Sequence, residues 1–210
     1  MKVAKLLKKA KKPLHLWCRS VYLREQRKQF RNPTLSVFSS NCVGGCMLHD
    51  MQARFNSPFV NLYLNAEDYL KFLSDPHRYS TLDLEEVPAD LGYPVGRWGD
   101  LTLHFVHYPD FATAADTFRR RLARVDYDNL FVIFSERDGC TYEQLQAFDA
   151  LPYAHKVVFT HLPYEGIASA FYIEGFEQAD CLGDILKWDK KTGRKIYDRF
   201  PYATWFNGDT

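Results

Sequence analysis

The sequence predicts an α/β fold: three layers, α/β/α, built around a mostly parallel sheet. Three observations carry that expectation. Short unbroken apolar runs such as Leu130-Phe131-Val132-Ile133-Phe134 read as strands buried on both faces. Between such runs lie segments of helical period, for example Phe111, Ala114, Ala115, Phe118, Leu122 and Val125. The two patterns alternate along the chain, as layered α/β architectures require. With 210 residues, 46% hydrophobic and 16% aromatic, the chain can build one domain's core, and disorder is excluded.

The elements follow in order. Residues 1–31 hold eleven basic side chains (Lys2, Lys5, Lys8, Lys9, Lys11, Lys12, Arg19, Arg24, Arg27, Lys28 and Arg31) against Glu25 alone, a net of +10. The remaining residues carry 16 basic and 25 acidic groups, a net of −9. A basic leader on an acidic body divides the chain into an amphipathic arm, 1–32, and a single α/β domain, 33–210. The arm reads as two helical pieces broken at Pro13. Val3, Leu6, Leu7 and Ala10 share one face, and Leu14, Trp17, Val21 and Leu23 extend an apolar stripe. A basic amphipathic helix with a boundary tryptophan suits an anionic membrane surface; the other reading is a solvated arm packed on the body or on a partner. Nucleic acid is not expected as a partner, because the acidic body repels phosphate.

No run approaches the roughly 18 apolar residues of a membrane span. The leader lacks the apolar middle and small-residue cleavage site of an export signal. The expected location is cytoplasmic, with docking at the inner membrane face through the arm. The five scattered cysteines are read as reduced thiols.

Residues 35–39 read as a buried strand, followed by a Gly44-Gly45 turn and a helix from about 46 to 55. Residues 58–64 read as a second strand, and Asn65 can cap a helix through Leu73. Residues 74–100, rich in Pro, Gly, Asp and Tyr, read mostly as loop. The alternation over 101–107 predicts a strand. Asp110 or Thr113 starts the helix that runs to Val125. Residues 130–134 form the strongest strand, and Thr141-Tyr142-Glu143-Gln144 is a capping box opening a helix to about Leu151. Residues 156–160 and 171–173 are further strands, and the aromatic tail from Gly183 reads as a helix plus a closing segment.

In open α/β sheets, ligands bind beyond the carboxyl ends of the strands. The residues there are Ser40, Asn41 and Cys42; His107 and Tyr108; Ser135, Glu136, Arg137, Asp138 and Gly139; and His161 with Tyr164. If all four strands are parallel, these sets share one edge.

The segment SSNCVGGCMLHD, residues 39–50, admits four readings. A zinc site would draw on Cys42, Cys46 and His49, but a fourth ligand is missing and Cys140 is isolated, so no metal is expected. In the second reading Cys42 is a nucleophile at a helix start, where the dipole favours thiolate. His107 or His161 would be its base and Glu136 or Asp138 the orienter. A buried cysteine serving as apolar filler competes with that reading. In the third, Asn41, Gly44, Gly45 and the helix amides cradle an anion, aided by Arg137, with Tyr108 also facing the substrate. The spacing fits neither the dinucleotide fingerprint nor the Walker loop, and no cofactor is expected. The fourth is a tight turn without a ligand. His104 should point to the opposite sheet face from His107, as a core histidine.

Several stretches together carry a family resemblance: Asn41-Cys42-Val43-Gly44-Gly45, Asn56-Ser57-Pro58-Phe59, Tyr93-Pro94-Val95-Gly96, His104 through Tyr108, and Asn129 through Gly139. In order, over about residues 33–206, they resemble a bacterial family, domain-of-unknown-function 1919, usually labelled exopolysaccharide biosynthesis protein. The basic leader and Cys46 lie outside the pattern. The resemblance implies a three-layer α/β fold and a role in capsule or exopolysaccharide assembly. That role would be a glycosyl or acyl transferase acting on a sugar nucleotide or lipid-linked glycan. It brings no catalytic residues with it; the assignments above come from residue chemistry. The alternative is a non-catalytic glycan- or nucleotide-binding accessory protein, with aromatic side chains stacking on sugar rings.

Overall fold

A computed structural model describes residues 2–137 and 139–209, with side chains from His15 onward. Four strands form the central sheet: β1 (Ser36–Ser39), β5 (Leu130–Ser135), β6 (His155–Thr160) and β7 (Ala170–Tyr172), in the order β1-β5-β6-β7 and all parallel. Successive side chains of these strands enter two different cores, as the period-2 pleat dictates. Phe38, Val132, Phe134 and Val158 face one core; Val37, Phe131, Ile133, Val157 and Phe159 face the other. Helices cover both faces, so the α/β architecture expected from the sequence is present as three layers.

The first face is covered by α3 (Ala66–Ser74), α5 (Phe111–Leu122) and α6 (Tyr142–Asp149). Their starts follow capping chemistry. Asn65 Oδ1 accepts from Asp68 N at 2.7 Å, and Asp110 Oδ1 accepts from Thr113 N at 2.7 Å, which settles the start of α5. Thr141 and Gln144 close the expected capping box. This core is aromatic: Phe38, Phe59, Phe72, Trp98 and Phe118 meet mostly edge to face, with centroids as close as 4.8 Å.

Several elements differ from the sequence expectation. Residues 58–64 are not a strand. Asn61 takes a left-handed φ of 67°, which interrupts extended backbone, and the segment is a buried loop with one bridge, Tyr63 to His104. Residues 74–100 hold more than loop. They form α4 (Pro76–Ser80), capped by Asp75, then β2 (Leu84–Val87) and β3 (Val95–Trp98). These strands pair with β4 (Leu101–His104) as a second, antiparallel sheet, β2-β3-β4. The alternation over 101–107 therefore marked a half-buried antiparallel strand rather than a strand of the central sheet. It ends at His104, where turns with Val106 N to His104 O and Tyr108 N to Phe105 O stop the pairing.

The second face is covered by α2 (Cys42–Met51), by the end of α1 (Lys2–Gln29) and by the tail. The helix α2 begins at Cys42, not Cys46, so Gly44 and Gly45 lie inside it. Both glycines serve close approach: a Cβ on Gly44 would sit 2.7 Å from Ser39 Cβ, and one on Gly45 would sit 3.2 Å from Val60 Cγ1. The helix α1 continues through Pro13 instead of breaking there; the loss of one amide donor does not end a helix of 28 residues. Its second half is tied to the body. Leu23 enters the second core, and Asn207 accepts from Arg31 N at 2.7 Å and donates to Gln29 O at 2.9 Å. The tail is a 3-10 turn (Ile196–Arg199) and a short α7 (Tyr202–Trp205) that bring Tyr197, Phe200, Tyr202 and Phe206 under the sheet. Among the described residues, no helix is long and apolar enough to cross a membrane.

Candidate functional site

The ends of β5 and β6 are brought together by their register. Ser135 pairs with Phe159, and Glu136 N donates to Phe159 O at 3.0 Å, so Glu136 leaves the sheet beside His161. The Glu136 carboxylate is buried, with its side chain 5% exposed, and is saturated by three donors. Its Oε2 accepts from His161 N at 2.8 Å and from His161 Nδ1 at 2.7 Å. Its Oε1 accepts from the Tyr164 hydroxyl at 2.6 Å. Facing a carboxylate, Nδ1 of the neutral ring carries the proton, which leaves Nε2 as the acceptor. That nitrogen makes no hydrogen bond among the described residues, and the His161 side chain is 8% exposed. Burial, then the hydrogen bond and charge of Glu136, push the Tyr164 hydroxyl above its ordinary pKa, so it stays a donor. A buried carboxylate that orients an imidazole and leaves its far nitrogen bare is the arrangement of a general base with its positioning group.

The chain alternates as it leaves β5. Glu136 turns toward β6, whereas Ser135 and Arg137 line a small crevice on the β1 side with Ser40, Asn41 and Leu64. Two features mark this crevice as unfinished. The Ser135 hydroxyl is buried and has no hydrogen-bond partner among the described residues. The Arg137 guanidinium carries no ion pair or hydrogen bond among the described residues. A buried hydroxyl without a partner costs about 1–3 kcal/mol, and the crevice of about 10 Å³ leaves room there for one water-sized group.

The other expected site residues are placed elsewhere. Cys42 is the first residue of α2, and its thiol contacts Leu62 O at 3.9 Å rather than an imidazole. Burial, then the neighbouring Cys46, push this thiol up to about 11, opposite to the lowering expected from the helix dipole. It is therefore a protonated thiol without a base at neutral pH. The anion cradle expected at Gly44 and Gly45 is filled by protein: Asn41 Oδ1 accepts from Val43 N at 3.0 Å, and Ser39 Oγ from Gly44 N at 3.2 Å. His107 is exposed and follows a strand of the other sheet, so it does not share the edge with His161. Tyr108 is structural in its contacts, donating to Val60 O at 3.1 Å and accepting from Arg121 at 2.9 Å. Asp138 lies outside the described residues. His104 is half-buried and stacks on Tyr63 at 4.4 Å. Among the described residues, no three His, Cys, Asp or Glu side chains are grouped to hold a metal ion.

Sequence reasoning missed a second buried cluster. Arg19, from α1, reaches Asp50 on α2 and Asp198 in the tail, at 3.0 Å for Nε to Asp198 Oδ2. Tyr197 donates to Asp50 at 2.7 Å, Tyr202 reaches both carboxylates at 3.2 Å, and Lys195 N donates to Asp198 at 2.7 Å. Burial alone would lower the Arg19 pKa, but hydrogen bonds to Asp50 and Asp198 outweigh it and hold the guanidinium firmly charged. The only sequence signal was Asp50 itself, a carboxylate beside Met47, Leu48 and Met51 on an apolar helix face, which demands a buried cation. Arg19, Cys42, Cys46, His49, Lys195 and Tyr197 border an open pocket of about 450 Å³ over this cluster.

The family model described as "Domain of unknown function (DUF1919)" matches residues 15–207. It starts inside α1, so the second half of the basic leader lies within the family region rather than outside it. A protein of Haemophilus influenzae, described as uncharacterized, is 44% identical over 184 residues, covering 88% of this chain and 89% of that protein.

Proposed function

This chain belongs to the DUF1919 family, and from the chemistry of its sheet edge we propose that it is a transferase of bacterial surface-polysaccharide assembly, moving a glycosyl or acyl group onto a hydroxyl. The observation that carries the reading is the Glu136–His161 pair, at 2.7 Å, with Tyr164 on the other carboxylate oxygen and Nε2 of the imidazole left bare. Transfer to a hydroxyl requires removal of its proton as the new bond forms. His161 Nε2 takes that proton while the acceptor oxygen attacks the donor carbon, and the leaving group departs with the bonding electron pair. Glu136 holds the ring and stabilises the imidazolium that forms. Arg137, without an ion pair among the described residues, offers charge to an anionic donor such as a sugar nucleotide.

The polysaccharide setting rests on the resemblance of the motifs around Asn41 and Arg137, and the transferase chemistry rests on the edge. Cys42 has no part in this scheme, which makes the transfer direct rather than through a thioester on the enzyme. The aromatic side chains that an accessory glycan binder would display are largely spent in the two cores.

The test is a transfer assay. The full chain is incubated with a panel of nucleotide sugars and acyl thioesters and a glycan acceptor, and release of nucleotide or thiol is followed. His161→Gln and Glu136→Gln should each lower turnover about 10²–10⁴-fold, the usual worth of a positioned base. Turnover unchanged in both variants would remove the base from the mechanism. Binding of a donor without turnover by any form would favour the accessory role.

A further inference from the structure

We propose that α1 is an in-plane anchor for an anionic lipid bilayer, with Leu16, Trp17 and Val21 as its inserting residues. These side chains are 52%, 64% and 40% exposed, three of the few large apolar groups left in solvent among the described residues. They fall with Ser20, Arg24 and Lys28 within an arc of about 140° at 3.6 residues per turn. The rest of the same helix is bound to the body. Arg19 joins Asp50 and Asp198, Tyr22 donates to Asp198 O at 3.0 Å, and Leu23 is in the core. Arg27, at the edge of the arc beside Leu16, also turns inward and donates to Asp50 O at 2.6 Å. The helix therefore cannot rotate to hide the apolar triplet, and the Arg19 cluster fixes which face looks outward. Leu23, placed by periodicity on the apolar stripe, belongs to the core side.

The occupant is argued from charge and register. In sequence, positions 3, 6, 10 and 14 (Val, Leu, Ala and Leu) fall in helical register with Trp17 and Val21, so the apolar stripe continues toward the start of the chain. Between residues 2 and 12 stand six lysines and no acid, and no acid follows until Glu25. An apolar stripe bordered by lysine and marked by a tryptophan is the pattern that lies in the interface of an anionic membrane, where each lysine adds attraction to the negative headgroups. A neutral protein groove would match the stripe but not the charge, and a second copy of α1 would bring like charges together.

Vesicle co-sedimentation of the full chain tests this. POPC vesicles carrying 30 mol% POPS should bind the protein, and pure POPC should bind it at least about tenfold more weakly, because the electrostatic part is absent. Raising the salt from 0.1 to 0.5 M should release it, as the Debye length shortens. Leu16→Ser, Trp17→Ser and Val21→Ser combined should abolish sedimentation while leaving the melting temperature unchanged. A second variant, with the six lysines changed to Gln, should lose the preference for POPS. The proposal is overturned if the wild-type chain ignores POPS vesicles, or if the serine variant binds them as well as the wild type. It is also overturned if ultracentrifugation shows a dimer that the serine variant dissociates, which would make a second copy the occupant.

Discussion

Two buried polar clusters flank the central sheet, and they differ in what they leave undone. In the Arg19–Asp50–Asp198 cluster the guanidinium, both carboxylates and the hydroxyls of Tyr197 and Tyr202 all meet partners within the protein. At the strand ends the Glu136 carboxylate is equally saturated, but the His161 ring keeps a bare nitrogen, the Ser135 hydroxyl has no partner and Arg137 has no counter-ion among the described residues. The first cluster is complete and ties three chain segments together. The second is complete only with something added. Saturation, not burial, distinguishes these two clusters, because both are buried.

The largest effect that could break this contrast is on stability. Arg19→Ala leaves two buried carboxylates facing each other and should cost about 3–5 kcal/mol, the usual loss when one partner of a buried pair is removed. Thermal unfolding would show it as a fall of about 2–4 °C for each kcal/mol in a chain of this size. Turnover of the remaining folded protein should be separable from that loss. His161→Gln should do the opposite. The Gln amide can still donate to Glu136, so stability should change by about 1 kcal/mol, the worth of one altered hydrogen bond, while turnover collapses. A His161 variant that melts like Arg19→Ala would place both clusters in the same structural class.

Smaller effects sharpen the assignment of the opening segment of α2. Gly44→Ala pushes a methyl against Ser39 and should cost about 1–3 kcal/mol through overpacking, read from urea unfolding, without loss of donor binding. If Gly44 instead cradled an anion, donor affinity would fall more than stability. The smallest effect concerns Cys42. With its thiol pushed up to about 11, the reactive thiolate is scarce at neutral pH and forms only as pH rises toward that value. Alkylation of Cys42 by iodoacetamide, followed by mass spectrometry, should be slow at pH 8 and accelerate up to about pH 11. Fast labelling at pH 7 would return the nucleophile reading to the site.

The sequence made β1, β5, β6 and the helices capped by Asn65, Asp110 and Thr141 legible, because continuous apolar runs and capping side chains are local signals. It also placed Glu136, Arg137 and His161 at strand ends, because that rule depends only on knowing where strands stop. It did not reveal which partner Glu136 takes; that depends on the register of β5 against β6, which no local pattern encodes. The antiparallel sheet was hidden because β2 and β3 are four residues each, embedded in Pro- and Gly-rich sequence. As a result the sequence pattern groups His107 and Tyr108, which follow β4 of the antiparallel sheet, with the strand ends of the central one. The loop at 58–64 imitated a strand because a buried loop needs apolar side chains too, and a single left-handed Asn61 undoes the extension. Arg19 was one of eleven basic residues in the leader, and its partners lie 31 and 179 residues away. Nothing local could single it out.

In the proposed transfer His161 is held by Glu136 through Nδ1 and presents Nε2 to a substrate. Long-range ¹H–¹⁵N correlation of the histidine rings in the full chain tests it directly, with Glu136→Gln for comparison. The neutral His161 ring should carry its proton on Nδ1 and leave Nε2 bare, and the Nε2 resonance should move when a transferable donor and acceptor are added. A ring protonated on Nε2, or an Nε2 resonance indifferent to every donor that binds, would contradict it.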